Sequence, residues 1–275
     1  MKELLSSYKK ADPKTQPKLA VPVGLVKHMV RNSRHHRGSH RAKHQAIADL
    51  CNIAFYYLLR VGEYTKQPKG RQTETFVIHN ITFRDDQHNI IPNSSSLVTL
   101  NTAVEATLRI GNQKNGIKGE TIHVECTGTA ASPIKSLARR VHHILSNGGS
   151  EHSYIYTYFL ASGYERYVDA NDINQALKKA AKAHGLFHLG YEQGDISSHS
   201  LRAGGAMAMH LNKCSDIQIR KMGRWRSDTF LMYIHEQLTA FSLGVSKLMS
   251  NEIKFRPVSG PRIRPPPTPR HSRAA

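Results

Sequence analysis

The chain has 275 residues, 39 Lys and Arg against 20 Asp and Glu, and a formal net charge of +19. Its length suits one large domain or two small ones with a real core. The charge excludes a generic enzyme of neutral small molecules and points to a polyanion, with nucleic acid ahead of a membrane surface. No apolar run approaches the ~20 residues that cross a bilayer, and no signal-peptide core opens the chain. Residues 1–20 are rich in Lys and Pro and read as a flexible lead-in, and 21–30 as a short helix opening a folded region that extends to residue 250.

From Lys27 to His44 there are six Lys or Arg, five His and no acid. His36, His40 and His44 have the i,i+4 spacing of some metal sites. No carboxylate or Cys accompanies them, however, and the surrounding cations oppose a metal ion. Contact with a phosphate backbone through Arg34, Arg37, Arg41 and Lys43 is favoured over a merely solvated charged loop. Residues 42–61 read as a helix with Ile47, Leu50, Ala54, Leu58 and Val61 on one stripe. It ends in L-L-R-V-G-E, where Arg60 and Glu63 are spaced to pair.

Residues 65–71 form a turn, and apolar alternation over 74–83 predicts a strand. A loop over 85–96 precedes a short strand at 97–101. The better strand pair is 106–110 with 121–125, joined by G-N-Q-K-N-G-I-K-G-E, which has the Asn, Gly and Lys content of a hairpin tip. Ser132-Pro133 opens a helix that stops at Asn147-Gly148. Residues 153–160 are aromatic and read as a short strand or a turn. Residues 171–184 read as an amphipathic helix ended by Gly185, with Lys178, Lys179 and Lys182 outward.

Ser197 and Ser198 are N-cap candidates for a helix carrying His199 and Arg202 on one face, and a helix N-terminus is itself an anion site. Ser227 and Asp228 look like the cap of another helix, with Phe230, Leu231, Ile234 and Leu238 at helical spacing and Tyr233 in its second turn. Residues 241–249 continue as helix, and 251–275 form a disordered basic tail rich in Pro and Arg. The order of helices, a small antiparallel sheet and further helices is an α+β pattern. Cys51, Cys126 and Cys214 are scattered, which suits a reducing, intracellular setting and offers no zinc site.

H-S-L-R-A-G-G-A from His199, followed by G-R-W-R-S-D from Gly223 and Y-I at Tyr233, resembles the tyrosine recombinases of the phage-integrase family. The resemblance implies a mainly helical α+β catalytic domain with a small antiparallel sheet. It also implies an enzyme that cuts and rejoins double-stranded DNA through a covalent 3′-phosphotyrosine, without ATP, in an assembly of four protomers. On the matching positions Tyr233 is the nucleophile, Arg60 and Arg202 are the catalytic arginines, and Glu63 is the acidic partner of the Arg60 box. His199 belongs to the H-x-x-R box, and Trp225 stands where other members carry a second His. Family members bear a catalytic Lys on a β-hairpin, which Lys114 fits best, with Lys118 in reserve.

The chemistry suits those residue types. Guanidinium forks match phosphoryl oxygens, Lys114 would protonate the leaving oxygen, and the indole N–H of Trp225 can donate to the phosphate. His199 would either hydrogen-bond the phosphate or take the tyrosine proton. With this many fixed cations and no clustered carboxylates, neither a metal nor another cofactor is called for. The stretch before the Arg60 helix is too short for the separate DNA-clamping domain usual in the family, so a basic arm is expected in its place. That leaves an alternative: a non-catalytic basic DNA-binding protein that retains the recombinase fold. An RNA-binding module is disfavoured by the lack of a ribonucleoprotein strand motif.

Overall fold

The computed structural model describes residues 18–68, 70, 73–111, 119–225 and 231. Helix α1 (Val23–Ser33) leads through a single 3₁₀ turn into helix α2 (Arg41–Tyr56). Every residue of α2 from Ala46 to Phe55 is buried. A helix buried on all sides is one that other elements enclose, and α2 is the centre of the fold. Its two interior polar side chains are both satisfied. Asp49 receives the Arg139 guanidinium, with Nε 3.0 Å from Oδ1, while the Asn52 amide donates to the Ala131 carbonyl at 2.9 Å and to Ser136 at 2.8 Å.

The helix is shorter than the apolar stripe predicts. It stops at Tyr56 because Leu58 adopts φ 50° and turns the chain. The Leu59 N–H closes the end by donating to the Ala54 carbonyl at 3.0 Å. Leu58 is nevertheless buried, so it continues the stripe in sequence while leaving the helix in space. Val61 belongs to a separate short helix, α3 (Val61–Tyr64), for which Arg60 is the N-cap.

Strands β1 (Ile81–Arg84) and β2 (Ile90–Ile91) precede helix α4 (Leu97–Leu100), strand β3 (Glu105–Arg109) and strand β4 (Thr121–Glu125). The sheet runs β2-β1-β3-β4, antiparallel throughout, with Phe83 opposite Ala106 and Ala106 opposite Val124. The β3–β4 pair is the one the sequence predicts. The strand expected over 74–83 is cut short, since Ile78–Asn80 form a 3₁₀ turn and pairing in the sheet begins only at Ile81. The strand expected at 97–101 is a helix instead. Ser96 caps it, accepting the Thr99 N–H at 3.2 Å, and local capping outweighs the β-propensity of Val98 and Thr99.

Helix α5 (Pro133–Ser146) starts at its proline as expected, and the hairpin of β5 (Thr157–Phe159) and β6 (Glu165–Tyr167) follows. Helix α6 (Ala170–Ala183) is capped by Asp169, and helix α7 (Ser198–Leu211) by Ser197. Helix α8 (Asp216–Gly223) has no counterpart among the elements read from sequence, although the Ser215 and Gln218 capping box marks its start. Helices α1, α5, α6 and α7 all pack on α2.

The approach of α7 depends on Gly204 and Gly205. A Cβ on Gly204 would meet the Val21 carbonyl and the Phe55 ring, and one on Gly205 would meet the Phe55 carbonyl and Leu58. The backbone contact of Val21 N–H with the Ser200 carbonyl, 3.2 Å, fixes the same crossing. On α5, His143 accepts the Phe159 N–H at 3.0 Å, and burial, reinforced by Arg140, pushes its pKa down to about 4.

Gly204→Ala is expected to cost ~1–3 kcal/mol in a urea titration, because backbone stands where the methyl would go; an unchanged midpoint would show that α7 can stand off. For His143 the folded protein refuses a proton that the unfolded chain accepts below about pH 6.5. Stability is therefore expected to fall as pH drops from there towards 4, and His143→Gln to flatten that part of the melting-temperature profile. An identical slope in both proteins would assign the loss to other groups.

Candidate active site

Three segments distant in sequence meet at the Leu58 carbonyl. Because Leu58 lies outside the helix, side chains can use this oxygen. It accepts from Arg202 Nη1 on α7 and from Arg224 Nη2 at 3.1 Å, just beyond α8. The second terminal nitrogen of Arg202 donates to the Gly223 carbonyl, and its guanidinium lies over the Trp225 ring, 4.3 Å from the centroid. Trp225 in turn folds back onto Gly223, occupying the space where a Cβ would stand. This cation–π contact and the two carbonyls hold Arg202 in one orientation.

Glu63 ties the cluster together. Its carboxylate is fully buried and accepts a fork from Arg224, Nη1 to Oε1 at 3.1 Å and Nη2 to Oε2 at 3.0 Å. It also accepts the Arg60 backbone N–H at 2.8 Å, which caps α3, and lies 3.3 Å from Arg60 Nη1. Arg60 is the most open of the three arginines, with a side chain 26 % exposed. Burial lowers the pKa of Arg224, and the charge of Glu63 opposes that shift. Three guanidiniums thus surround one carboxylate, and the net cationic cluster suits a phosphate-sized anion. His199 is exposed one turn before Arg202, at the N-terminus of α7.

Among solved structures, the chain is similar to the XerH site-specific recombinase bound to a palindromic difH substrate in a post-cleavage complex. The TM-score is 0.53 at 13% identity, over 85% of this chain and 54% of that one. It is also similar to the XerA recombinase, with a TM-score of 0.50 at 14% identity, over 88% of this chain and 68% of that one. The chain has the tyrosine recombinase catalytic fold. It spans about half the length of XerH. No family model and no curated protein matches it.

Within the recombinase fold, the structure brings together Arg60, Glu63, Arg202 and Trp225 and sets His199 on the helix that carries Arg202. Lys114, Lys118 and Tyr233 lie outside the described residues. Both ends of the hairpin that bears the two lysines are in place, with the Gly119 N–H donating to the Ile110 carbonyl at 2.9 Å. The helix expected from Ser227, the helix expected over 241–249 and the basic tail also lie outside the described residues, save for Leu231, which is helical.

The candidate DNA-contacting residues have different surroundings. Arg37 and Arg41 are exposed, and Arg34 reaches the Ala130 carbonyl at 3.4 Å. Lys43 instead pairs with Asp172 at 2.6 Å, and that contact raises its pKa. His36 and His44 stack with ring centroids 3.9 Å apart. Among the described residues no group of three His, Cys, Asp or Glu is placed to hold a metal ion, and no helix is long and apolar enough to cross a membrane.

Arg224 is the site residue that sequence reasoning missed. Its signal was present but indirect: Glu63 in a mostly apolar box requires a buried countercharge, and G-R-W-R offers two arginines. Glu63→Gln leaves the buried Arg224 without its countercharge. The expected loss is about 3–5 kcal/mol in chemical denaturation; a change below about 1 kcal/mol would show that the pair contributes little to the fold.

Proposed function

We propose that the chain breaks and rejoins double-stranded DNA through a covalent bond between Tyr233 and a 3′-phosphate. The observation that carries this reading is the convergence of Arg60, Arg202 and Trp225 on one cationic pocket from three parts of the chain, with His199 one turn away. A binding protein needs distributed surface cations, whereas these are concentrated and fixed by a buried carboxylate. The DNA-bound state of the XerH recombinase supports double-stranded DNA as the substrate class, as does the net charge of +19.

In this mechanism the arginine pair binds the non-bridging oxygens of one phosphate and stabilises the charge that builds as Tyr233 attacks. The tyrosine oxygen forms a bond to phosphorus while the bond to the 5′-oxygen breaks. Lys114, or Lys118 in its place, supplies the proton to that leaving oxygen. His199 takes the phenolic proton or donates to the phosphate, and the Trp225 N–H donates to a phosphoryl oxygen. The phosphotyrosine keeps the energy of the broken bond, so a 5′-hydroxyl can reverse the step, and four protomers on two duplexes would exchange strands. The buried position of Arg202, with two nitrogens on backbone carbonyls, favours one other reading: a non-catalytic DNA-binding protein in which the cluster serves packing.

A nicked duplex that loses its short fragment on cleavage separates the two. The parent protein is expected to accumulate as a DNA adduct whose modified peptide contains Tyr233. Tyr233→Phe, which removes one oxygen, is expected to bind DNA normally and form none. An adduct on another residue would reassign the nucleophile, and a parent that binds its site but never forms an adduct would establish the binding protein.

A further inference from the structure

The contact pattern around Glu63 is unequal. Arg224 holds both carboxylate oxygens, at 3.1 and 3.0 Å, whereas the Arg60 side chain meets only Oε1, at 3.3 Å. Arg60 is nevertheless the neighbour three residues away, and without a competitor the i,i+3 pair would close into a fork of its own. A fully buried carboxylate must be paired, so whichever arginine it holds is strongly held. The arginine left more open is Arg60.

Arg224 also stands where its backbone is costly. It ends α8 at φ 56°, the left-handed region that suits glycine and that strains a residue with a long side chain. Its Nε is buried with no hydrogen-bond partner among the described residues. A strained position and an unsatisfied donor are retained together only where the side chain itself is needed. Its third contact, on the Leu58 carbonyl, is shared with Arg202.

We infer that Arg224 is a positioning residue. By occupying both oxygens of Glu63 it keeps that carboxylate from withdrawing Arg60 into an ion pair, and it thereby holds the Arg60 guanidinium toward a phosphate group. The inference rests on the reading of the pocket as a phosphate site given above. It differs from a direct role for Arg224 on phosphate, and from a role in stability alone, in one consequence. Removing the charge of Glu63 together with Arg224 should restore what removing Arg224 alone destroys.

The test compares the parent with Arg224→Met, Arg224→Lys and the double variant Glu63→Gln, Arg224→Met. The Glu63→Gln substitution keeps a side-chain oxygen to cap the Arg60 N–H. Trp225 is the only tryptophan in the chain, so its fluorescence reports on this pocket during titration with inorganic phosphate. Adduct formation on the nicked duplex is the second readout. Arg224→Met is expected to weaken phosphate binding about tenfold and to slow adduct formation about 100-fold. Arg224→Lys, a point charge without the fork, is expected to fall between it and the parent. The double variant is expected to return to within about fivefold of the parent in both measurements, since Arg60 is then released from Glu63.

A double variant as impaired as Arg224→Met overturns the inference, as does an Arg224→Met protein that binds phosphate like the parent. A parent whose Trp225 signal ignores phosphate overturns it too. If Arg224→Met does not fold, the double variant, which lacks both the Glu63 and the Arg224 charge, decides alone: parent-like phosphate binding sustains the inference and its loss overturns it. Should phosphate binding follow the expected pattern while no protein forms an adduct, the positioning role stands and the strand-cleavage reading fails.

Discussion

A buried carboxylate cannot be left unpaired, and in this chain that constraint falls on Glu63. Its burial is complete, so two arginines are drawn to it, one from the turn that follows α2 and one from the end of α8. Because Arg224 also reaches the Leu58 carbonyl, the same ion pair ties the backbone at 58–63 to the segment at 223–225. Arg202 is then fixed between these two segments through the carbonyls of Leu58 and Gly223. The cationic pocket is thus a consequence of how one negative charge is satisfied.

That arrangement requires α7 to lie close to the end of α2, and the scaffold provides the closeness by omission. Gly204 and Gly205 place bare backbone against Phe55 and Val21, which brings the first turns of α7, with His199 and Arg202, beside the turn at Leu58. The rigidity of α2 sets the reference frame. Ten consecutive buried residues leave it little freedom to shift, and its buried Asp49 and Asn52 are bonded to α5 and to the segment just before it. An active site built on such a helix end keeps its geometry before any ligand arrives, the condition under which electrostatic stabilisation of a reacting phosphate is largest.

The positive charge of the chain is put to more than one use. Lys43, read from sequence as a phosphate contact, is paired with Asp172 and joins α2 to α6. Arg139 and Arg140 are spent on the interior: the first holds Asp49 and the second donates to the carbonyls of Ile155 and Thr157. Arg37 and Arg41 remain exposed. A count of cations identifies the class of partner, but it does not distinguish the arginines that build the fold from those that face outward.

Local features were legible in the sequence because they act over a few residues: the proline start of α5, the Ser197 cap of α7, the β3–β4 hairpin and the His199 to Arg202 spacing. The Arg60 to Glu63 contact, an i,i+3 pair, belongs with them. Capping and turn chemistry also explain the errors, since Ser96 converts an expected strand into α4 and Leu58 ends α2 before its apolar stripe does. What only the tertiary structure decided is which residues share a site. Arg224 lies 161 residues from Glu63 and Arg202 lies 144 from Leu58. No periodicity extends so far; those pairings arise because the crossing of α7 on α2 and the turn at the end of α8 bury one carboxylate among three guanidiniums.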